Sequence, residues 1–283
     1  MLGACQSGLL FPGVNTPHGV AKILVDDSMF GDGGVEPAIR YGDLVIPHIV
    51  KESNDFAEIN EEKSASIARV LGSIHTDLSR STLRDLYGRK DKFQRLVGAI
   101  GLSMQGLQTD SMEAYLVQTV KKGQLTKLET RPCNDNETGL AIIALGYSRR
   151  ESALPVIHEV LASPNCETVQ NRACEAVARI RSGKSIPVLR ACLRNPEFTA
   201  LPVAYRSATA LGDKEATGLA IERISLNIKR FNSGFVVNEL QRVTGKRFGY
   251  DKDRWLLWWR TDGVKWKIPQ RFLVLWDRQP FYY

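Results

Sequence analysis

A period of 32 to 33 residues constrains this chain more than any other feature of its sequence. The clearest unit runs Leu140-Ala-Ile-Ile-Ala-Leu-Gly146, then a turn over residues 147–152, then Ala153-Leu-Pro-Val-Ile-His-Glu-Val-Leu161. Its first half spaces small apolar residues for a helix, and Leu145-Gly146 predicts a stop with glycine just past the helix end. Its second half predicts a new helix with Pro155 near the start, where a missing N–H costs little. Ser148 and Glu151 look like a capping box, but that cap would leave Pro155 too deep in the helix, so a start nearer Glu151 is expected. The next unit repeats the plan in Arg172-Ala-Cys-Glu-Ala-Val-Ala-Arg-Ile180, Ser182-Gly183 and Ser185-Ile-Pro-Val-Leu-Arg-Ala-Cys-Leu193, with Pro155 and Pro187 32 residues apart. A third copy begins at Pro202 and reaches Ala208-Thr-Ala-Leu-Gly212, 66 residues after Gly146, and then residues 213–224. A unit repeated at such a period buries its apolar face only against its neighbours.

The pattern A-x-x-A-L-G, a short turn, then A-L-P-x-I/L-x-x-x-L, carried by residues 138–226, resembles the HEAT-like repeats of the phycobilisome-lyase type. That resemblance implies an all-α fold, a right-handed α-solenoid of helical hairpins. Fainter copies precede it. Leu44-Val-Ile-Pro-His-Ile49 reads as a second helix, and Ala65-Ser-Ile-Ala-Arg-Val-Leu-Gly72 as a first helix followed by Thr82-Leu-Arg-Asp-Leu86. Residues 93–107 and 111–120 predict a more degenerate hairpin. About five or six hairpins are expected over residues 36–228, between an N-terminal linker at 1–35 and a C-terminal cap and tail at 229–283.

Composition sets the C-terminal part aside. The chain is 43% apolar and 24% charged, as ordinary globular proteins are, and no stretch approaches the ~20 apolar residues of a membrane span. The net charge is +7, and residues 229–283 carry all of it, with 12 Lys/Arg against 5 Asp/Glu. All five tryptophans (Trp255, Trp258, Trp259, Trp266, Trp276) lie there as well. The stretch L-x-x-x-T-G-x-x-F-G-x-D…W-x-x-W-W from Leu240 to Trp259 is similar to endings that follow HEAT-like arrays in other bacterial proteins. Trp255, Trp258 and Trp259 fall on one helix face, which predicts the aromatic core of a capping element rather than a ligand platform. Residues 261–283 hold two prolines and no helical period, and predict an extended tail packed on the body.

At the N-terminus, Leu2-Gly-Ala-Cys5 matches the bacterial lipobox, in which the cysteine is lipidated. The basic and apolar segments of a complete signal do not precede it. Two expectations follow: an envelope lipoprotein attached through Cys5, or a cytoplasmic protein with an incidental cysteine there. The remaining cysteines (Cys133, Cys166, Cys174, Cys192) form no CxxC pair, so no metal site is expected. Cys133 and Cys166 stand one period apart, but packed helices sit ~8–10 Å apart and a disulfide wants Cα atoms within ~7 Å, so free thiols are expected. Asp26, Asp27 and Asp32 with Gly31, Gly33 and Gly34 read as a solvated linker without the spacing of a calcium loop.

No catalytic motif appears. His18, His48, His75 and His158 are scattered, and no nucleophile elbow, metalloprotease helix or phosphate loop is present. The sequence therefore points to a non-enzymatic protein-interaction scaffold without a cofactor, its partner another protein held in a concave groove lined by second helices. His158 and Arg190 share one register position, and with Arg194 and Arg223 they are the candidate partner-binding residues; solvated side chains are the plainer reading. The resemblance adds a bilin-lyase-like chaperone or enzyme as an alternative, without a bilin-specific feature here. Nucleic-acid or anionic-surface binding through the basic C-terminus ranks below the scaffold, because the repeats themselves are close to neutral.

Overall fold

A computed structural model describes residues 16–25, 35–54, 61–125, 136–224 and 232–274, and among these every regular element is helical. The chain forms two compact units that divide between Gln105 and Gly106. Both are built as stacks of helical hairpins, the α-solenoid architecture. No helix among the described residues is long and apolar enough to cross a membrane.

The first unit holds α1 (Pro17–Val25), α2 (Val35–Tyr41), α3 (Ile46–Asn54), α4 (Glu61–Ser73), α5 (Asp77–Gly88) and α6 (Lys92–Met104). The α1 helix falls inside the expected N-terminal linker. It packs on α3, α2 and α4, and its Val20 and Ala21 are fully buried. A short PHGVAKILV segment lacks the length for a visible period, which is why it read as linker. The α2, α4 and α6 helices stack side by side, and α5 leans on α6. Thr76 and Asp91 cap α5 and α6 by accepting the backbone N–H of Ser79 (3.2 Å) and Gln94 (2.8 Å). The close approach of α5 and α6 rests on Gly98, where an added Cβ would stand 2.4 Å from the Tyr87 nitrogen and 2.6 Å from the Leu83 oxygen.

The second unit holds α7 (Asp110–Leu125), α8 (Asn136–Ser148), α9 (Leu154–Ala162), α10 (Glu167–Ile180), α11 (Ile186–Arg194), α12 (Leu201–Ala210), α13 (Glu215–Glu222), α14 (Asn232–Thr244), α15 (Lys252–Arg260) and α16 (Gln270–Leu273). First helices α8, α10, α12 and α14 pack in sequence, and second helices α7, α9, α11, α13 and α15 form a parallel layer beside them. Every residue of 140–145 in α8 is buried, because α7 covers one side of that helix and α10 the other. Single 3-10 turns at Glu151–Ala153 and Gly183–Ser185 lead into α9 and α11, and put Pro155 and Pro187 in the first helical turn, as their spacing predicts.

Three local expectations are corrected. The α8 helix does not stop at Gly146 but runs to Ser148, and the chain reverses at Arg149 in the left-handed region (φ 56°). The same conformation recurs at Arg181 (φ 61°), Gly212 (φ 83°) and Gly245 (φ 75°), so the repeat is punctuated by backbone conformation and not always by glycine. Ser148 makes no capping box: its hydroxyl donates to the Leu145 carbonyl (2.6 Å) and accepts the Arg150 N–H (3.3 Å), which fixes the turn instead. The tail after Thr261 includes the short α16, whose Phe272 is buried against the Arg242 guanidinium. Cys5, Cys133, the Asp26–Asp32 linker and Trp276 lie outside the described residues.

Candidate interaction surface

In the second unit each second helix reaches forward to the turn that opens the next one. Glu113 of α7 accepts from Arg150 (3.1 Å) and from the Ser152 hydroxyl, and Asp110 also accepts from Arg150 (2.5 Å). The His158 Nε2 of α9 meets the hydroxyl of buried Ser185 at 2.9 Å. Arg190 of α11 grips Asp213 through two hydrogen bonds (2.8 and 2.7 Å) and pairs with Glu215 at 2.7 Å. Glu222 of α13 meets Lys252 at 3.4 Å, and the same ammonium donates to the Glu222 carbonyl. Turn-to-turn contacts reinforce the row, as Lys184 does with Glu151 (2.6 Å). First helices are joined likewise where Arg206 of α12 pairs with Glu239 of α14 at 2.6 Å.

These contacts place the sequence candidates. His158 and Arg190 do occupy equivalent positions, and both serve as tethers between successive hairpins. Burial lowers the pKa of the half-buried His158, which keeps its imidazole neutral beside Ser185. The hydrogen bond to the Asp213 carboxylate raises the Arg190 pKa further above its ordinary value, against a smaller opposing effect of burial. Arg223 donates to the Pro196 carbonyl (3.1 Å), back toward the preceding repeat. Arg194, in the last turn of α11, is exposed and makes no ion pair among the described residues. Of the four, it is the one left on the surface of the second-helix layer.

The C-terminal hairpin has a different character. Trp255 is fully buried and donates its indole N–H to the Gly249 carbonyl (2.9 Å), while Phe248 and Trp258 meet it edge-on at 5.0 and 6.0 Å. Trp259 seats α15 on α13 at Gly218, where a Cβ would come within 2.8 Å of the indole nitrogen. Among the described residues of the second unit, the strongly exposed large hydrophobics are Phe235, Tyr250, Leu257 and Val264, all in this C-terminal part. Leu257 and Val264 are 66% and 68% exposed, so the tryptophans turned inward leave an apolar outer surface behind.

Beside Val264 opens a groove of about 620 Å³, lined by Gly212, Lys214, Val264, Lys265, Trp266, Lys267, Ile268 and Leu273. Two cations fasten its walls: Lys214 donates to the Val264 carbonyl (2.6 Å) and Arg181 to the Leu273 carbonyl (3.1 Å). Trp266, half-buried, meets Trp258 edge-on at 6.1 Å. The sequence signal was there, in the coincidence of charge and tryptophan after residue 229. The groove itself was illegible, because it joins that segment to turns 50 and 92 positions away.

Among the described residues Cys166 is a partly exposed free thiol, and Cys174 and Cys192 are buried ones; burial pushes the Cys192 thiol up to about 12 and raises that of Cys174 well above its usual range. Among the described residues no group of three or more His, Cys, Asp or Glu side chains is arranged to hold a metal ion.

The protein is thus a repeat protein of the α-solenoid class. Residues 125–215, which span α8 to α12, match the family of HEAT repeats. No curated protein and no solved structure matches the chain.

Proposed function

We propose that the protein is a non-enzymatic scaffold that binds another protein through the second-helix layer and the C-terminal hairpin of its second unit. The observation that carries this reading is the gathering of exposed apolar side chains, Leu257 and Val264 foremost, in the one segment that also holds the positive charge. Interfaces combine such an apolar centre with a charged rim, and exposed patches of this kind mark them. The match to HEAT repeats supports it, since stacked hairpins offer an extended surface and commonly mediate protein–protein contacts. Photo-crosslinking in the native cell tests it, with the reactive side chain at Leu257, Val264 or Arg194 and a control at the exposed Glu167. One discrete adduct from the first three positions and none from Glu167 is expected. Adducts that are absent, or equal at all four, would reject the scaffold.

For the compartment we propose a lipid tether on Cys5, supported only by the fit of Leu2-Gly-Ala-Cys5 to a lipobox. The mass of the N-terminal peptide decides between this and a cytoplasmic protein. The phycobilisome-lyase likeness of the repeats adds a simple check: visible absorbance on the purified protein would favour a bilin-handling role.

A further inference from the structure

We propose that the groove between Gly212, Lys214, residues 264–268 and Leu273 takes an acidic, extended peptide segment with one apolar anchor side chain. The inference rests on the scaffold reading and names its partner's chemistry. Its volume lies within the range of side-chain and ligand clefts. Gly212, with φ 83°, leaves the floor open: a Cβ there would meet nothing within 4 Å. Trp266, Ile268 and Leu273 offer an apolar slot, and Val264 extends it outward.

The charged residues of the lining itself are all lysines. Lys265 and Lys267 are exposed, and Lys214 reaches the same lining with its ammonium on the Val264 carbonyl; over residues 260–273 the single carboxylate is Asp262, against Arg260, Lys265, Lys267 and Arg271.

A protein segment fits this surface better than a nucleic acid. Single strands are held on rows of exposed rings, but Trp255 and Trp258 are buried and Trp259 is seated on Gly218, which leaves Trp266 as the aromatic residue of the groove lining among the described residues. The repeats before it neutralise their charges in pairs, as Arg190–Asp213 and Lys184–Glu151 do, so no long positive track continues.

Fluorescence anisotropy on the full chain tests the inference. The probes are a short Asp/Glu-rich peptide with one central leucine, the same peptide with serine there, and a thymidine oligonucleotide of equal charge. The leucine peptide should bind tightest. The Lys265→Glu/Lys267→Glu protein, altered only at exposed positions, should lose at least about tenfold in affinity. Equal binding by the oligonucleotide, indifference to the central leucine, or an unchanged double variant would overturn the proposal. If the peptides fail while the Val264 crosslink still traps a protein, the groove chemistry is wrong and the scaffold stands; loss of both rejects the two together.

Discussion

His158 shows how one side chain ties local chemistry to the stack. Its neutral ring bridges α9 to the turn before α11 through Ser185, and burial holds its folded-state pKa below the ordinary 6.5. As the pH falls through 6.5, the unfolded chain takes up a proton that the folded chain resists. Stability is therefore whole above that value and declines below it until the folded pKa is passed. We expect the urea midpoint of wild type to fall more than that of His158→Gln when the pH goes from about 7.5 to about 5.5, because glutamine keeps a hydrogen bond to Ser185 without the proton linkage. Parallel declines in both proteins would contradict this role. The register of His158 and Arg190 was legible in the sequence, but their task was not. Their partners Ser185, Asp213 and Glu215 lie 23 to 27 residues away, short of a full period, and only the packed turn brings them together. Complementary charges one period apart, as in Glu151/Lys184 and Arg206/Glu239, were the available signal for such tethers.

Helices in this chain are placed by small residues as much as by apolar ones. Gly98 lets α6 rest directly on the α5 backbone, so Gly98→Ala forces the pair apart and is expected to cost about 1–3 kcal/mol, read as a lowered thermal midpoint. Gly88→Ala serves as its control. That position has open space around it and lies at the end of α5, so it should leave the midpoint unchanged or raise it. Equal effects would contradict the close-approach account. The period of small and apolar residues exposed the hairpins from residue 44 onward, because each repeat meets a near copy of itself. It failed for α1, too short to show a period, and for α16, a single turn set by the burial of Phe272. Helix ends were misplaced where Arg149 and Arg181 adopt a conformation that sequence reasoning reserves for glycine.

Over the second unit, two kinds of surface emerge from one repeat. Residues 136–224 pair many of their charges in tethers, while the C-terminal hairpin buries Trp255 and Trp258 and presents Leu257, Val264 and a cluster of lysines outward. Tethers and binding residues should therefore separate under mutation. The most direct measurement is the yield of the Val264 crosslink in two variants at a temperature where both are folded, with their thermal midpoints alongside. Arg190→Ala breaks the Asp213 pair and should lower the midpoint while the adduct persists. Leu257→Asp alters only an exposed side chain and should abolish the adduct with the midpoint unchanged. An adduct lost in Arg190→Ala and kept in Leu257→Asp would contradict the account, and would give the binding role to the tether residues.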